Sequence, residues 1–200
     1  MKPKTNLDVA HKVDIEKNLE VDIQARSKST ILLITFFELA CIIFLMHHRE
    51  YIDSLHQMLN SILMGMFTAG FAQSVIQLYR YVNYHRLAKF YVWGAVNGVI
   101  SSLWIDYLVY NFPAVSMRVA VDQCIGSPFF QAIFIIYNCI WENLDILPAF
   151  KTTFMRMLLS CYMIWPICSI VSFNFLPTFY IFPFNCFVNV IWTVVVGILI

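Results

Sequence analysis

Charge is what this chain has least of. Its 200 residues include 13 Lys or Arg and 12 Asp or Glu, so 12% are charged and the net charge is +1. Average soluble domains carry about 25% charged residues. With 60% of residues hydrophobic and a mean hydropathy of +0.70, a soluble fold of this size would have to hide more apolar surface than its interior can enclose. The lack of a basic excess removes the electrostatic footprint of nucleic-acid binding. A cysteine framework is lacking too. Cys41, Cys124, Cys139, Cys161, Cys168 and Cys186 form no C-x-x-C pair, and all but Cys124 lie inside apolar runs. They read as buried or lipid-facing thiols rather than as a disulfide network or a zinc site. No apolar run near the start marks a secretory signal. The first 29 residues mix Lys2, Lys4, Lys12, Lys17, Arg26 and Lys28 with Asp8, Asp14, Glu16, Glu20 and Asp22, unlike an acid-poor transit peptide. They read as a polar tail, solvent-exposed or loosely helical.

What the chain has instead is a series of long apolar runs. Phe154–Ile200 is 47 residues long and its only charge is Arg156. A bilayer crossing needs roughly 20 apolar residues at 1.5 Å per residue, so this stretch holds two. The break between them is expected at Pro177 to Pro183, where prolines meet Phe179, Tyr180 and Phe182, and Pro166 is expected to kink the first crossing. Upstream, Thr30–Met46 contains one acid, Glu38. At mid-depth that acid would cost roughly 2 to 3 kcal/mol against lipid, so it must face another helix or be protonated. His47 and His48 end the run as a polar membrane edge, with no third metal ligand at a helical offset. Ile62–Leu78 carries a small-xxx-small pair, Gly65 and Ala69, and the amides Gln73 and Gln77 one turn apart. Phe90–Tyr110 contains Gly94-Ala95-Val96-Asn97-Gly98, a G-x-x-x-G pattern whose default use is close helix packing, and the polar pair Asn97 and Ser101. Ala114–Pro128 reads as a connection. Phe129–Ile146 spaces Gln131, Asn138, Glu142 and Asp145 along one helical stripe, which in a membrane turns inward.

Placing six crossings puts the tail, Tyr79–Lys89 and Pro148–Arg156 on one side of the bilayer. Eleven of the 13 basic residues fall there, leaving Arg49 and Arg118 opposite. That split fits the positive-inside rule, and a five-span arrangement would spoil it. The expected fold is all-α: a polytopic membrane helical bundle of about four to six transmembrane helices. Residues 1–29 form the tail, 30–46 an additional N-terminal apolar helix, and 51–200 the multi-span domain.

The pattern Trp165, Pro166, Phe173, Pro177 and Trp192 resembles the C-terminal signature of the Mpv-seventeen family, which includes peroxisomal membrane protein 2. That signature runs W-P-x-x-Q-x-x-N-F-x-x-x-P, with a Trp about fifteen residues later. Asp122, Gln123 and Pro128 match an upstream D-Q…P element, and Trp104 with Leu108, and Tyr51 with Leu55, match two weaker ones. Ser169 and Ser172 replace the signature glutamine and asparagine, Ile181 stands at an arginine position, and the acid expected after Gly70 is Phe71. Hydroxyls reach less far than amides, so the resemblance implies a weakened polar contact on this face. It also implies a multi-span protein of the mitochondrial inner membrane, or alternatively the peroxisomal membrane. Such a protein would be channel-like for small solutes or would maintain organelle homeostasis.

The residues leave two uses for the polar groups. Gln131, Asn138, Glu142 and Asp145, with Gln73, Gln77, Asn97 and Ser101 opposite, would line a pore. Alternatively, they would hydrogen-bond between helices of a closed bundle in a non-conducting structural or adaptor protein. Asp122 and Gln123 would cap the helix entered at Pro128, tie a loop to a neighbour, or form a polar vestibule. No enzyme is expected: His56 and His85 stand alone at segment edges without a nucleophile at a helical offset. No cofactor, metal or nucleic-acid partner is expected. The expected partners are the lipid bilayer and small solutes, and a homo-oligomer is left open.

Overall fold

The computed structural model describes the backbone of residues 6–199 and the side chains of residues 24 and 26–194. The described chain is helical throughout: α1 (Asn6–His47), α2 (Arg49–Leu55), α3 (Leu59–Tyr79), α4 (Tyr84–Asn111), α5 (Val115–Val121), a π-helical turn (Asp122–Gly126), α6 (Ser127–Glu142), α7 (Ile146–Phe175) and α8 (Thr178–Leu199). Among the described residues, five segments are long and apolar enough to cross a bilayer: Arg26–His47, Leu59–Tyr79, Tyr84–Asn111, Val115–Glu142 and Ile146–Phe175. In α8 the apolar segment Thr178–Val194 is shorter. Side chains of the polar tail before residue 24 lie outside the described residues.

The hub is α3. Of its apolar window 61% is buried, against 17% to 28% for the other four. It packs on α1, α4 and α8, while α6 packs on α7. The α3–α4 seam is built from glycine. A Cβ added to Gly65 would fall 2.9 Å from Gly98 Cα and closer still to the Gly94 carbonyl oxygen. Backbones meet here because small residues let them, the arrangement that G-x-x-x-G patterns favour in lipid. The contact lies within one chain. On α1 the buried positions are Ile31, Thr35, Glu38 and Leu45, one stripe at helical spacing. Leu33, Phe36, Ile43 and Phe44 point away, between 57% and 68% exposed. With lipid as solvent, that face needs no protein partner.

Two breaks expected from the sequence are not breaks. Ala114–Pro128 is no loop: Val115 to Glu142 runs as one helical segment. Pro128 cannot donate to a carbonyl four residues back, and the helix meets it with a widened turn in which the Ser127 N–H reaches the Asp122 carbonyl five residues back. Gly-Ser-Pro therefore marks a π turn, not an end. Likewise, the chain breaks at Leu176 and Pro177 only, and Pro183 lies inside α8. Pro183 leaves the Phe179 carbonyl without its helical donor, and Arg49 supplies a replacement through Nη1. The same guanidinium stacks over the Phe179 ring, 3.8 Å from its centroid. A third departure concerns the polar stripe. After Glu142 the backbone turns left-handed at Asn143 (φ 53°), and Asp145 becomes the residue preceding α7. Asp145 thus leaves the face shared by Gln131 and Asn138.

Candidate functional site: a polar cavity inside the bundle

A cavity of about 360 Å³ lies inside the bundle, walled by α3, α4, α6, α7 and α8. From α3 it takes Gly65, Thr68 and Gln73, and from α4 Arg86, Asn97, Ser101 and Trp104. The π turn contributes Asp122, and α6 contributes Ser127 and Gln131. From α7 come Cys161 and Trp165, and from α8 Asn185, Asn189, Trp192 and Thr193. Aromatic walls thus carry a ring of amides and hydroxyls, with one acid, Asp122, and one cation, Arg86.

Of the eight residues read as lining, four meet here: Gln73, Asn97, Ser101 and Gln131. The other four do different work. Gln77 fixes the turn into α4, donating from Nε2 to the Asn83 carbonyl at 3.1 Å and accepting from the Asn83 N–H at 2.8 Å. Asn138 donates to the Phe134 carbonyl of its own helix at 2.7 Å. Glu142 is exposed and pairs with Lys89, Nζ to Oε1 2.6 Å. Asp145 is exposed in the α6–α7 turn. The stripe is inward-facing only at its Gln131 end, because α6 leaves the bundle interior as it approaches its C-terminus.

Asp122 and Gln123 form the tightest polar node of the molecule. The Asp122 carboxylate accepts from Trp104 Nε1 at 2.8 Å, from Gln123 Nε2 at 3.0 Å and from the Ser169 hydroxyl. Gln123 Nε2 also donates to Ser169 Oγ at 2.9 Å, Ser127 donates to Gln123 Oε1 at 3.2 Å, and Tyr162 donates to the Gln123 carbonyl at 3.0 Å. Three elements, α4, the π turn and α7, are tied at one carboxylate. Every donor to it is neutral, so its charge is stabilised by dipoles alone.

Residues 140–196 match the model of the Mpv17 / PMP22 family. Over 149 residues the chain is 24% identical to PXMP2/4 family protein 3 of Dictyostelium discoideum, an alignment covering 70% of this chain and 80% of that protein. No solved structure matches the chain. Over this C-terminal stretch, residues 140–196, the chain is similar to the Mpv17 / PMP22 family.

The matched stretch spans α7 and most of α8, which form the cavity wall from Met157 to Thr193. Its signature tryptophans Trp165 and Trp192 face the cavity, and Phe173 closes it beside Phe182. Pro177 ends the α7–α8 connection and Pro166 sits within α7. The serine that replaces the signature glutamine does not leave a gap. Ser169 is 4% exposed and both donates to Asp122 and accepts from Gln123. Ser172 bonds only to carbonyls of its own helix, Cys168 at 2.8 Å and Ser169 at 3.3 Å. The expected weakening therefore applies to one position and not the other. The α8 residues Asn185, Asn189 and Thr193 were not read from the sequence as lining. Their regular four-residue spacing within an apolar run is the signal that marks them, and the prolines and tryptophans around them drew the eye first.

Proposed function

We propose that this protein provides a weakly selective route for small solutes across an organelle membrane of the mitochondrial or peroxisomal type, and that it transforms nothing on the way. One observation carries the reading. Asn97, Ser101, Asn185, Asn189 and Thr193 line the cavity, and their side chains make no hydrogen bond with any other described residue. In a closed bundle such groups would bond across helices. Left free around a cavity, they offer donors and acceptors that can replace part of a solute's hydration without holding it tightly. Asp122 and Arg86 give the wall both signs of charge, which argues for loose selectivity rather than for one ion.

The full-length protein in liposomes tests this. Osmotic swelling with a graded series of polyols should show uptake of small solutes and a size cut-off. Asn97→Leu together with Asn189→Leu should cut the rate severalfold while leaving helicity and detergent stability intact. Swelling no faster than that of protein-free vesicles would refute the route and leave a structural membrane protein. Tagged protein with selective permeabilisation would test the organelle and the side on which the termini lie.

A further inference from the structure

Glu38 belongs to no part of the cavity wall, yet it is 0% exposed, on the face of α1 that packs on α3. Its Oε1 accepts from the Tyr91 hydroxyl of α4. Its Oε2 has no partner. Ser74 of α3 lies beside the carboxyl, is 0% exposed, and its Oγ is also unpartnered. An unpartnered hydroxyl thus stands beside a carboxyl that no charged side chain approaches. The polar or titratable groups around it are Ser74 from α3, Tyr91 from α4 and Cys41 from its own helix.

The seat is also closed. Gly70 forms a notch under the carboxyl, and a Cβ there would fall 2.7 Å from Glu38 Oε1, 2.8 Å from Tyr91 Cδ1 and closer still to Tyr91 Cε1. Neither the central cavity nor the groove beside α1 includes Glu38 in its wall. A hydrated or coordinated metal ion has no room. A proton needs none, and it turns Oε2 from an orphaned acceptor into a donor facing Ser74.

We propose that Glu38 is a proton-binding site, and that its neutral carboxyl, accepting from Tyr91 and donating to Ser74, pins α1 to the bundle. The bond to Tyr91 is the one side-chain hydrogen bond from α1 to another helix among the described residues. Removing the proton leaves a carboxylate in an apolar seam with only neutral hydroxyls and no cation beside it, a state that burial penalises. Deprotonation is therefore coupled to release of α1 from α3. This holds whether or not the cavity conducts.

The full chain in liposomes can report it. Phe37 on α1 and Phe67 on α3 have ring centroids 6.1 Å apart. With the native cysteines replaced, Phe37→Cys and Phe67→Cys should cross-link while α1 is seated. Cross-linking should fall severalfold from mildly acidic to strongly alkaline pH, against the usual rise of thiol exchange with pH. In Glu38→Gln, a neutral isostere, only that usual rise should remain. Infrared difference spectra should show a protonated-carboxyl band at neutral pH that disappears in Glu38→Gln. Tyr91→Phe keeps the acid but removes the donor that serves the charged form, so the fall in cross-linking should move to higher pH. The proposal is overturned by a spectrum without the protonated band, by cross-linking that follows sodium rather than pH, or by a Glu38→Gln profile identical to wild type.

Discussion

Replacing Gly94 by Ala puts one carbon into the place where α3 and α4 touch. The added Cβ would stand 2.7 Å from Ala69 Cβ and 2.8 Å from the Gly65 carbonyl carbon, with the Gly65 oxygen nearer still. Apolar carbons rest about 3.5–4.0 Å apart, so the helices must separate by roughly 1 Å. Overpacking on this scale costs about 1–3 kcal/mol. Against that, alanine recovers about 0.5–1 kcal/mol of the backbone entropy that glycine loses in a helix. The net expectation is a loss of roughly 1–2 kcal/mol, and lipid supplies no hydrophobic term between helices to offset it. Equilibrium unfolding in mixed micelles, followed by loss of helicity, measures it. Val96→Ala, at a residue 42% exposed on the same helix, should move stability by less than about 0.5 kcal/mol. Gly65→Ala should cost a similar amount alone and less in the Gly94→Ala background, because the first carbon has already parted the helices. The pair should fall short of additivity by about 1 kcal/mol. A Gly94→Ala protein as stable as wild type, or additive with Gly65→Ala, would show that the backbones do not meet there.

Three further perturbations bear on the reading. Asp122→Asn keeps the acceptor for Trp104 but points an amide at Gln123 Nε2, so one or two hydrogen bonds are lost. Membrane hydrogen bonds average about 0.6 kcal/mol, so the same unfolding assay should show roughly 1 kcal/mol. Arg49→Ala strips the replacement donor from the Phe179 carbonyl and should destabilise by about 1–2 kcal/mol. In a Pro183→Ala background, where an N–H is restored to that carbonyl, the cost of Arg49→Ala should shrink, and an unchanged cost would remove the carbonyl from the explanation. Lys89→Met should alter unfolding only slightly and only at low salt, because its partner Glu142 is solvent-exposed, with side-chain accessibility of 41%.

The spans were legible because a membrane helix needs little more than length, apolarity and scarcity of charge, and Thr30–Met46, Ile62–Leu78 and Phe90–Tyr110 hold at most one acid each. The glycine seam was legible for the same reason: Gly94 and Gly98 have few other uses in an apolar helix. Proline was misread twice. Ala114–Pro128 reads as a connection between apolar runs, and the expectation at Pro183 rests on prolines interrupting a helix. What decided the outcome was non-local: a π turn that shifts the bonding by one residue, and an arginine 130 positions from Phe179 in the chain that takes the freed carbonyl. Asp145 was misplaced because helical spacing was extended past a helix end that only the left-handed Asn143 reveals.

The polar groups of this bundle fall into two populations. Asp122, Gln123, Ser169, Trp104 and Gln77 are saturated with partners and join elements that would otherwise separate. Asn97, Asn185, Asn189 and Thr193 have no described partner and surround a cavity. Sequence spacing treats both alike, since an amide on an inward stripe looks the same whether it will be bonded or left free. Stability should therefore track the first population and solute flux the second. A substitution at Asn189 that unfolds the protein without slowing solutes, or one at Gln77 that slows solutes without affecting stability, would show that this division is drawn in the wrong place.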